Sequence, residues 1–374
     1  MLESDIAVIG AGVVGCATAV ALARRGAAVA LLEAADEPGL AASGTNSGIL
    51  HTGFDSPPGE LETELILRSA ALREAVLEAL AVPVLRCGAL LLPLSPEQAG
   101  RVPALAERAR RNGVAVSLLD DSTLEVPGEA VTDPVAFTLA LAAAAERHGA
   151  TLRTGFRVTA IERSGDGLLL ADAGGERVGC GAAINCAGLH ADEVARLAGD
   201  ASFEIYPRKG EFLVFEGTTA LDRILLPVPS EGTKGVLVFP TSDGMVVAGP
   251  TAVDGTDKDD WSVRPDARDE ILPKASAMWP PLAGVEPVAA YAGLRPAGRG
   301  VNYVIGPSAA CERLVNVAAI RSTGMTASLG IAERVCEVVE RIGVKLGPEE
   351  PLEPGPAPEH GGPWWRRTAE RQPA

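Results

Sequence analysis

Residues 5–33 read DIAVIGAGVVGCATAVALARRGAAVALLE, and the fold turns on them. The run opens with a continuous apolar strand over residues 5–9. Gly10, Gly12 and Gly15 follow with the spacing GxGxxG, an alanine-rich helix spans 16–25, Gly26 ends it, and a second apolar strand over 27–32 closes on Glu33. Gly10 permits the tight turn, Gly12 lets backbone approach a pyrophosphate, and Gly15 lets helix and strand pack closely. The helix N-terminus attracts the anion through its free N–H groups and its dipole. Glu33, 18 residues beyond Gly15, stands where a ribose-binding carboxylate belongs and favours a free 2′-hydroxyl over a 2′-phosphate. Strand, glycine turn, helix, strand and carboxylate together predict an α/β chain that binds a dinucleotide.

Residues 6–23 carry no charge and approach the length of about 20 residues that a membrane span needs. Glu3 and Asp5 precede the run without a basic flank and three glycines interrupt it, which favours the nucleotide turn over an anchor or a signal. Across 374 residues, 33 Lys+Arg against 49 Asp+Glu leave a formal charge of −16, which argues against a nucleic-acid partner. With 47% hydrophobic residues, the chain can bury a large core in two domains or one elaborated one. Cys16, Cys87, Cys180, Cys186, Cys311 and Cys336 form no CxxC pair and no short cluster with histidine, so no metal is expected. That cysteine usage suits a reducing cytoplasm as the location.

Residues 42–53, ASGTNSGILHTG, discriminate between NAD and FAD. Small and hydroxylated residues directly after the ribose carboxylate suit a backbone-rich loop running along a flavin, with His51 projected at its end. These residues resemble the FAD-dependent oxidoreductases of the D-amino-acid-oxidase type, and within them the glycerol-3-phosphate oxidase or dehydrogenase branch, where SGxNSGxxHxG is the active-site loop. L-2-hydroxyglutarate oxidase is a close neighbour. The resemblance continues through residues 206–212, 233–238, 249–252, 257–259, 291–296 and 322–326, and spans roughly residues 4–340 in the family's order.

The resemblance implies FAD as cofactor and a discontinuous Rossmann-like FAD-binding domain formed by residues 1–80, 150–200 and 295–346. A mixed-sheet α+β substrate-binding domain then comprises 81–149 and 201–294. Helices are expected near 97–112 and 134–148, a hairpin meander over 151–178, strands near 211–215, 235–239 and 244–249, and a strand-turn-helix near 314–341. No second GxGxxG occurs, so the substrate rather than NAD(P)H is expected to reduce FAD. From 347 to 374 the composition turns proline-rich and reads as a tail. Within it, Trp364-Trp365-Arg366-Arg367 suits either docking onto the body or peripheral contact with the inner face of a membrane.

Oxidising a secondary alcohol needs a base for the hydroxyl proton and an acceptor for the hydride. Of four histidines, His51 is the natural base, since His148 ends a helix and His360 lies in the tail; His190 is the runner-up, with a role beside the FAD ribose expected for it instead. An anionic substrate needs fixed positive charge. Arg295, read as part of a short Gly-Leu-Arg-Pro turn, suits a bidentate fork, and Lys234 a point charge. The resemblance matches Ser47, Lys234, Arg295 and Ser322 to contacts with glycerol 3-phosphate. It matches Val14, Glu33, Ala42, Ser43, Ser47, Gly48, Ile49, Val158, Ile320, Arg321 and Thr326 to FAD contacts, beside Gly10, Gly12, Gly15 and Gly188. Gly324-Met325-Thr326 opens a helix whose N–H groups suit the anion formed on the reduced ring. Thr323 stands where the family often has proline, and Arg321 adds a charge beside the flavin segment.

The expected reaction is therefore oxidation of a small anionic secondary alcohol, foremost sn-glycerol 3-phosphate to dihydroxyacetone phosphate, by hydride transfer to flavin N5 with His51 as base. The acceptor is oxygen, giving hydrogen peroxide, or a quinone or carrier. L-2-hydroxyglutarate or a similar 2-hydroxy acid is the alternative substrate. A non-catalytic FAD-binding subunit of an electron-transfer complex is a third reading.

Overall fold

A computed structural model of the chain describes residues 2–217, 221–230, 234–356 and 358–370. Thr233, one of the residues that carried the resemblance, lies outside them.

Strand β1 (Leu2–Ile9), helix α1 (Val13–Ala23) and strand β2 (Val29–Leu32) form the expected βαβ unit, with α1 beginning three residues earlier than the sequence suggested. β1 pairs in parallel with β2 and with strand Arg177–Asn185, which in turn pairs in parallel with Leu314–Ala318. Ile9 therefore lies opposite both Leu32 and Asn185, and the strands end together above the glycine turn. The meander appears as strands Val158–Ser164 and Gly167–Asp172, antiparallel to each other and continued by Arg177–Asn185. Thr151–Arg153 adds in parallel beside β2.

Helix α1 buries nine of its eleven residues. It is packed between helices Pro134–Arg147 and Gly324–Arg341, so it shows no polar stripe. That all-round burial is why residues 6–23 resemble a membrane span in composition. No helix among the described residues is long and apolar enough to cross a membrane. The helix Pro134–Arg147, expected among the substrate-binding segments, thus joins the nucleotide-binding core instead, where its alanine face meets α1.

A second sheet runs Val253–Asp254, Ile205–Phe215, Val246–Gly249, Leu237–Pro240, Ile224–Pro227, Ala89–Leu92, Leu124–Val126 and Ser117–Leu118. The long strand Ala289–Gly298 pairs antiparallel with Ile205–Phe215 over its whole length. Residues 295–298 therefore belong to this sheet and not to the first. Arg295 lies inside the strand rather than on a turn, and Pro296 is tolerated because the strand has a partner on one side only. A third, three-stranded sheet joins Ile49–Leu50, Ala130–Thr132 and Val84–Leu85.

The proline-rich segment is a strap rather than a free tail. Gly347 and Glu350 donate backbone N–H groups to Arg25 and Arg24, each at 2.8 Å, and Gly355 donates to Ala79 at 3.1 Å. The segment ends in helix Trp364–Glu370, where Trp364 is 1% exposed and meets Tyr291 edge-on at 5.4 Å. Trp365 is also buried and donates its indole N–H to Asp243 at 2.8 Å. The aromatic patch that suggested membrane contact is thus covered by the second sheet's core, which offers a large apolar ring pair a dry site.

Trp364→Ala is expected to cost about 3–5 kcal/mol of stability, measured by denaturant unfolding. A loss under about 0.5 kcal/mol contradicts the strap. His360 bonds Asp133 at 3.2 Å, and that hydrogen bond raises its pKa above the usual imidazole value. A raised folded pKa gives stability that is full below about pH 6.5 and lost as pH rises through the folded value. His360→Ala should flatten that part of the stability profile while leaving the acidic limb in place.

Candidate active site

At the nucleotide end, Gly10 has φ +101°, and a Cβ there would lie 2.5 Å from the Cys186 carbonyl oxygen. A Cβ on Gly15 would lie 1.8 Å from the Gly10 carbonyl oxygen, so the turn and the helix start cannot separate enough for any side chain. Gly12 faces Ser43, whose hydroxyl accepts the Val13 N–H at 2.9 Å. Val14 and Ile320 both pack near Gly324. The Glu33 carboxylate accepts the N–H groups of Ala11 at 2.7 Å and Ala35 at 2.9 Å, and each oxygen keeps a further lone pair for a ribose hydroxyl. Phe156, two residues before Val158, donates its N–H to the Glu33 carbonyl at 2.8 Å. Gly188 has φ +55° and opens a short helical turn after strand Arg177–Asn185.

The loop 42–53 is suspended by backbone and side-chain bonds. Gly48 has φ +74° and a Cβ there would strike the Thr132 carbonyl oxygen at 2.1 Å, while its own carbonyl accepts the Thr132 N–H at 2.8 Å. The Thr326 hydroxyl donates to the Ile49 carbonyl and accepts the His51 N–H, at 3.3 and 3.1 Å. Arg73 donates to the His51 carbonyl at 2.7 Å. The His51 ring pairs through Nδ1 with Glu129 at 2.8 Å, and the other Glu129 oxygen accepts the N–H and hydroxyl of Thr52 at 2.6 and 2.8 Å. Burial pushes the Glu129 carboxyl up, but His51 and the Thr52 bonds outweigh it and hold it below the usual carboxylate range.

His51 opens onto a cavity of about 690 Å³ also lined by Ala42, Ser47, Ile49, Lys234, Arg295 and Ser322. None of the other histidines lines it. His190 bonds Glu193 at 3.0 Å, His148 accepts the Glu353 N–H, and His360 pairs with Asp133.

Arg208 lies directly opposite Arg295 across the paired strands, so both side chains project from the same face. Both line the cavity, as does Arg321. Arg295 is half-buried, donates to the Thr251 carbonyl at 3.1 Å, and has no carboxylate in ion-pair contact among the described residues. Burial, then the like charges of Arg208 and Arg321, pulls its pKa down to about 10, which leaves it cationic at neutral pH. Arg208 reaches Asp254 at 3.5 Å. Arg321 and Ala319 both take left-handed backbone, at φ +57° and +55°, a cost accepted where a loop must aim its groups. Thr323, where the family often has proline, uses its hydroxyl to hold this loop to Glu62 and Tyr303, each at 2.8 Å.

Lys234 is paired at 2.9 Å with Asp55, another cavity residue. Burial raises the Asp55 carboxyl, but Lys234 and His51 more than offset this and hold it low. Sequence reading missed Glu129, Asp55 and the site role of Arg208. Arg208 falls within residues 206–212, and only the strand register shows that it faces Arg295. Glu129 carried no local signal, being 78 residues from its partner.

The chain matches the family described as FAD dependent oxidoreductase (DAO) over residues 5–338. It is 28% identical over 368 residues to the glycerol 3-phosphate dehydrogenase of Caloramator mitchellensis, covering 94% of this chain and 76% of that protein. It is 29% identical over 281 residues to the mitochondrial L-2-hydroxyglutarate dehydrogenase of Bos taurus, covering 67% of this chain and 61% of that one. Among solved structures, the dithionite-reduced L-alpha-glycerophosphate oxidase of Mycoplasma pneumoniae with FAD bound superposes with a TM-score of 0.88 at 25% identity. That alignment covers 96% of this chain and all of the other.

Removing the carboxylate in Glu33→Ala should weaken FAD binding by about 10- to 100-fold, the equivalent of one charge-assisted hydrogen bond. Titration of apoprotein with FAD checks this, and unchanged affinity rejects the ribose assignment.

Proposed function

The chain belongs to the FAD dependent oxidoreductase family, and from that premise we propose that it oxidises sn-glycerol 3-phosphate to dihydroxyacetone phosphate. The observation that carries this reading is one cavity lined by both His51 and Arg295, with Arg208, Arg321 and Lys234 around it. A base and a cluster of fixed cations within one small space suit an alcohol attached to a strongly anionic group.

The residues fit FAD. The Gly10–Gly15 turn is a cradle that side chains would fill, the first turn of α1 offers N–H groups, and Glu33 has lone pairs left for a ribose. Ala42, Ser43, the loop at Ser47–Ile49, Ile320, Arg321 and Thr326 would hold the remainder. When bound, FAD supplies the acceptor for the hydride of the carbinol carbon.

This chain's residues perform the rest. Arg295 binds the phosphate through its fork, Lys234 adds a point charge while tethered by Asp55, and Ser47 and Ser322 present hydroxyls to the substrate. His51 takes the C2 hydroxyl proton as the carbonyl forms. The final electron acceptor would be oxygen, giving hydrogen peroxide, or a quinone or carrier.

A 2-hydroxy acid such as L-2-hydroxyglutarate is the second reading. The pairing of Arg208 with Arg295 favours it, because two guanidiniums on one face also suit a substrate with two carboxylates.

Anaerobic mixing of the yellow protein with each compound separates the readings. Bleaching of the flavin absorbance by the phosphate alone supports the first, bleaching by the acid alone supports the second, and bleaching by neither rejects both. In His51→Ala the reduction rate should fall by about 10²–10⁴-fold with FAD retained, and an unchanged rate removes His51 as base. In Arg295→Ala the KM should rise about 10- to 100-fold, with bleaching recovered at high substrate.

A further inference from the structure

Glu129 does not touch the reacting atoms, yet the residue is only 1% exposed and every hydrogen bond of its carboxylate among the described residues goes to His51 or Thr52. A buried charge is costly unless it is paired and fully bonded. Here the bonding is directional. The Thr52 bonds and His51 hold the Glu129 carboxyl in its ionised, acceptor-only form, so one oxygen accepts the Thr52 N–H and hydroxyl and the other accepts from His51 Nδ1 at 2.8 Å.

We propose that Glu129 is the positioning residue of this site: it holds the His51 proton on Nδ1 and so keeps Nε2, the ring nitrogen without a protein partner among the described residues, bare toward the cavity. The inference rests on the reading of His51 as base. When Nε2 takes the substrate hydroxyl proton, the ring carries both protons and a positive charge, and the Glu129 carboxylate, already in contact with Nδ1–H, balances that charge without moving. Arg73 supports the pair from behind by donating to the carbonyls of His51 and Gly128, at 2.7 and 3.2 Å.

The arrangement makes a sharp statement about Glu129→Gln, which is nearly the same shape. Its amide oxygen must turn toward the Thr52 N–H, because the amide nitrogen there would set donor against donor. The amide NH₂ then faces His51 Nδ1 and donates to it. That bond forces the ring proton onto Nε2, where it blocks proton acceptance.

The test is nitrogen NMR of holoenzyme labelled with ¹⁵N-histidine, at a pH where the ring is neutral. With four histidines in the chain, the His51 signals are assigned by their loss in His51→Gln. Wild type should show Nδ1 protonated and Nε2 bare. Glu129→Gln should show the reverse, retain its flavin spectrum, keep KM within about twofold and lose at least about 100-fold in the rate of flavin reduction. A wild-type ring protonated on Nε2 overturns the proposal, and so does a Glu129→Gln enzyme that reduces flavin at the wild-type rate. The wild-type spectrum decides even where the variant does not fold. Because it requires no substrate, a failure of glycerol 3-phosphate to bleach the flavin is a separate result, bearing on the proposed reaction and not on the tautomer.

Discussion

A two-residue ladder holds the site together. Ile49 and Leu50 pair antiparallel with Val131 and Ala130. His51 is the next residue on one strand and Glu129 the preceding residue on the other, so the ladder register brings imidazole and carboxylate face to face. A slip of one residue would turn these side chains to opposite faces. The Gly48 carbonyl, bonded to Thr132, and the Thr326 hydroxyl, bonded to Ile49 and His51, lock the register from either end. This short pairing spans the two larger sheets' territories and suspends the loop 42–53 along the nucleotide-binding core.

Charge is distributed against the average. The protein carries a net −16, while Arg208, Arg295, Arg321 and Lys234 line one cavity. The net charge repels anions, while these four side chains make the cleft locally positive, a field that low-dielectric walls strengthen. The acidic partners Asp55 and Asp254 hold Lys234 and Arg208 in place, whereas Arg295 has a carbonyl contact and no carboxylate ion pair among the described residues. Two strands with matched arginines generate this arrangement, because side chains directly opposite in an antiparallel pair share a face.

The C-terminal strap ties the sheets to each other. Prolines limit the conformations available to residues 348–363, which lowers the entropy lost on laying the segment across the body. Its last helix then reaches back to the loop that carries His51: Thr368 donates to the Gly44 carbonyl at 2.7 Å, and Arg367 pairs with Glu37. Gly293 presses against the same loop from the second sheet, where a Cβ would lie 2.9 Å from the Thr45 carbonyl oxygen. Proline-rich composition alone reads as a tail, and the buried faces of Trp364 and Trp365 decide otherwise.

Local chemistry determined the nucleotide-binding unit. The glycine spacing, the two apolar strands, Glu33 and the loop ending at His51 are each a short-range pattern whose physical requirement is met by neighbouring residues. The same holds for the helices Pro96–Arg111 and Pro134–Arg147, whose ends are set by Ser95 and Asp133 as caps. Tertiary structure alone decided which core those elements join. A buried alanine helix has no polar face to orient it, so Pro134–Arg147 packing on α1 was not legible, nor was Arg295 sitting within a strand. Glu129 is the clearest case: a lone glutamate in a turn is indistinguishable from a solvated one until the ladder buries it against His51. Pairing across 78 residues depends on register, and register is a property of the folded sheet rather than of either segment.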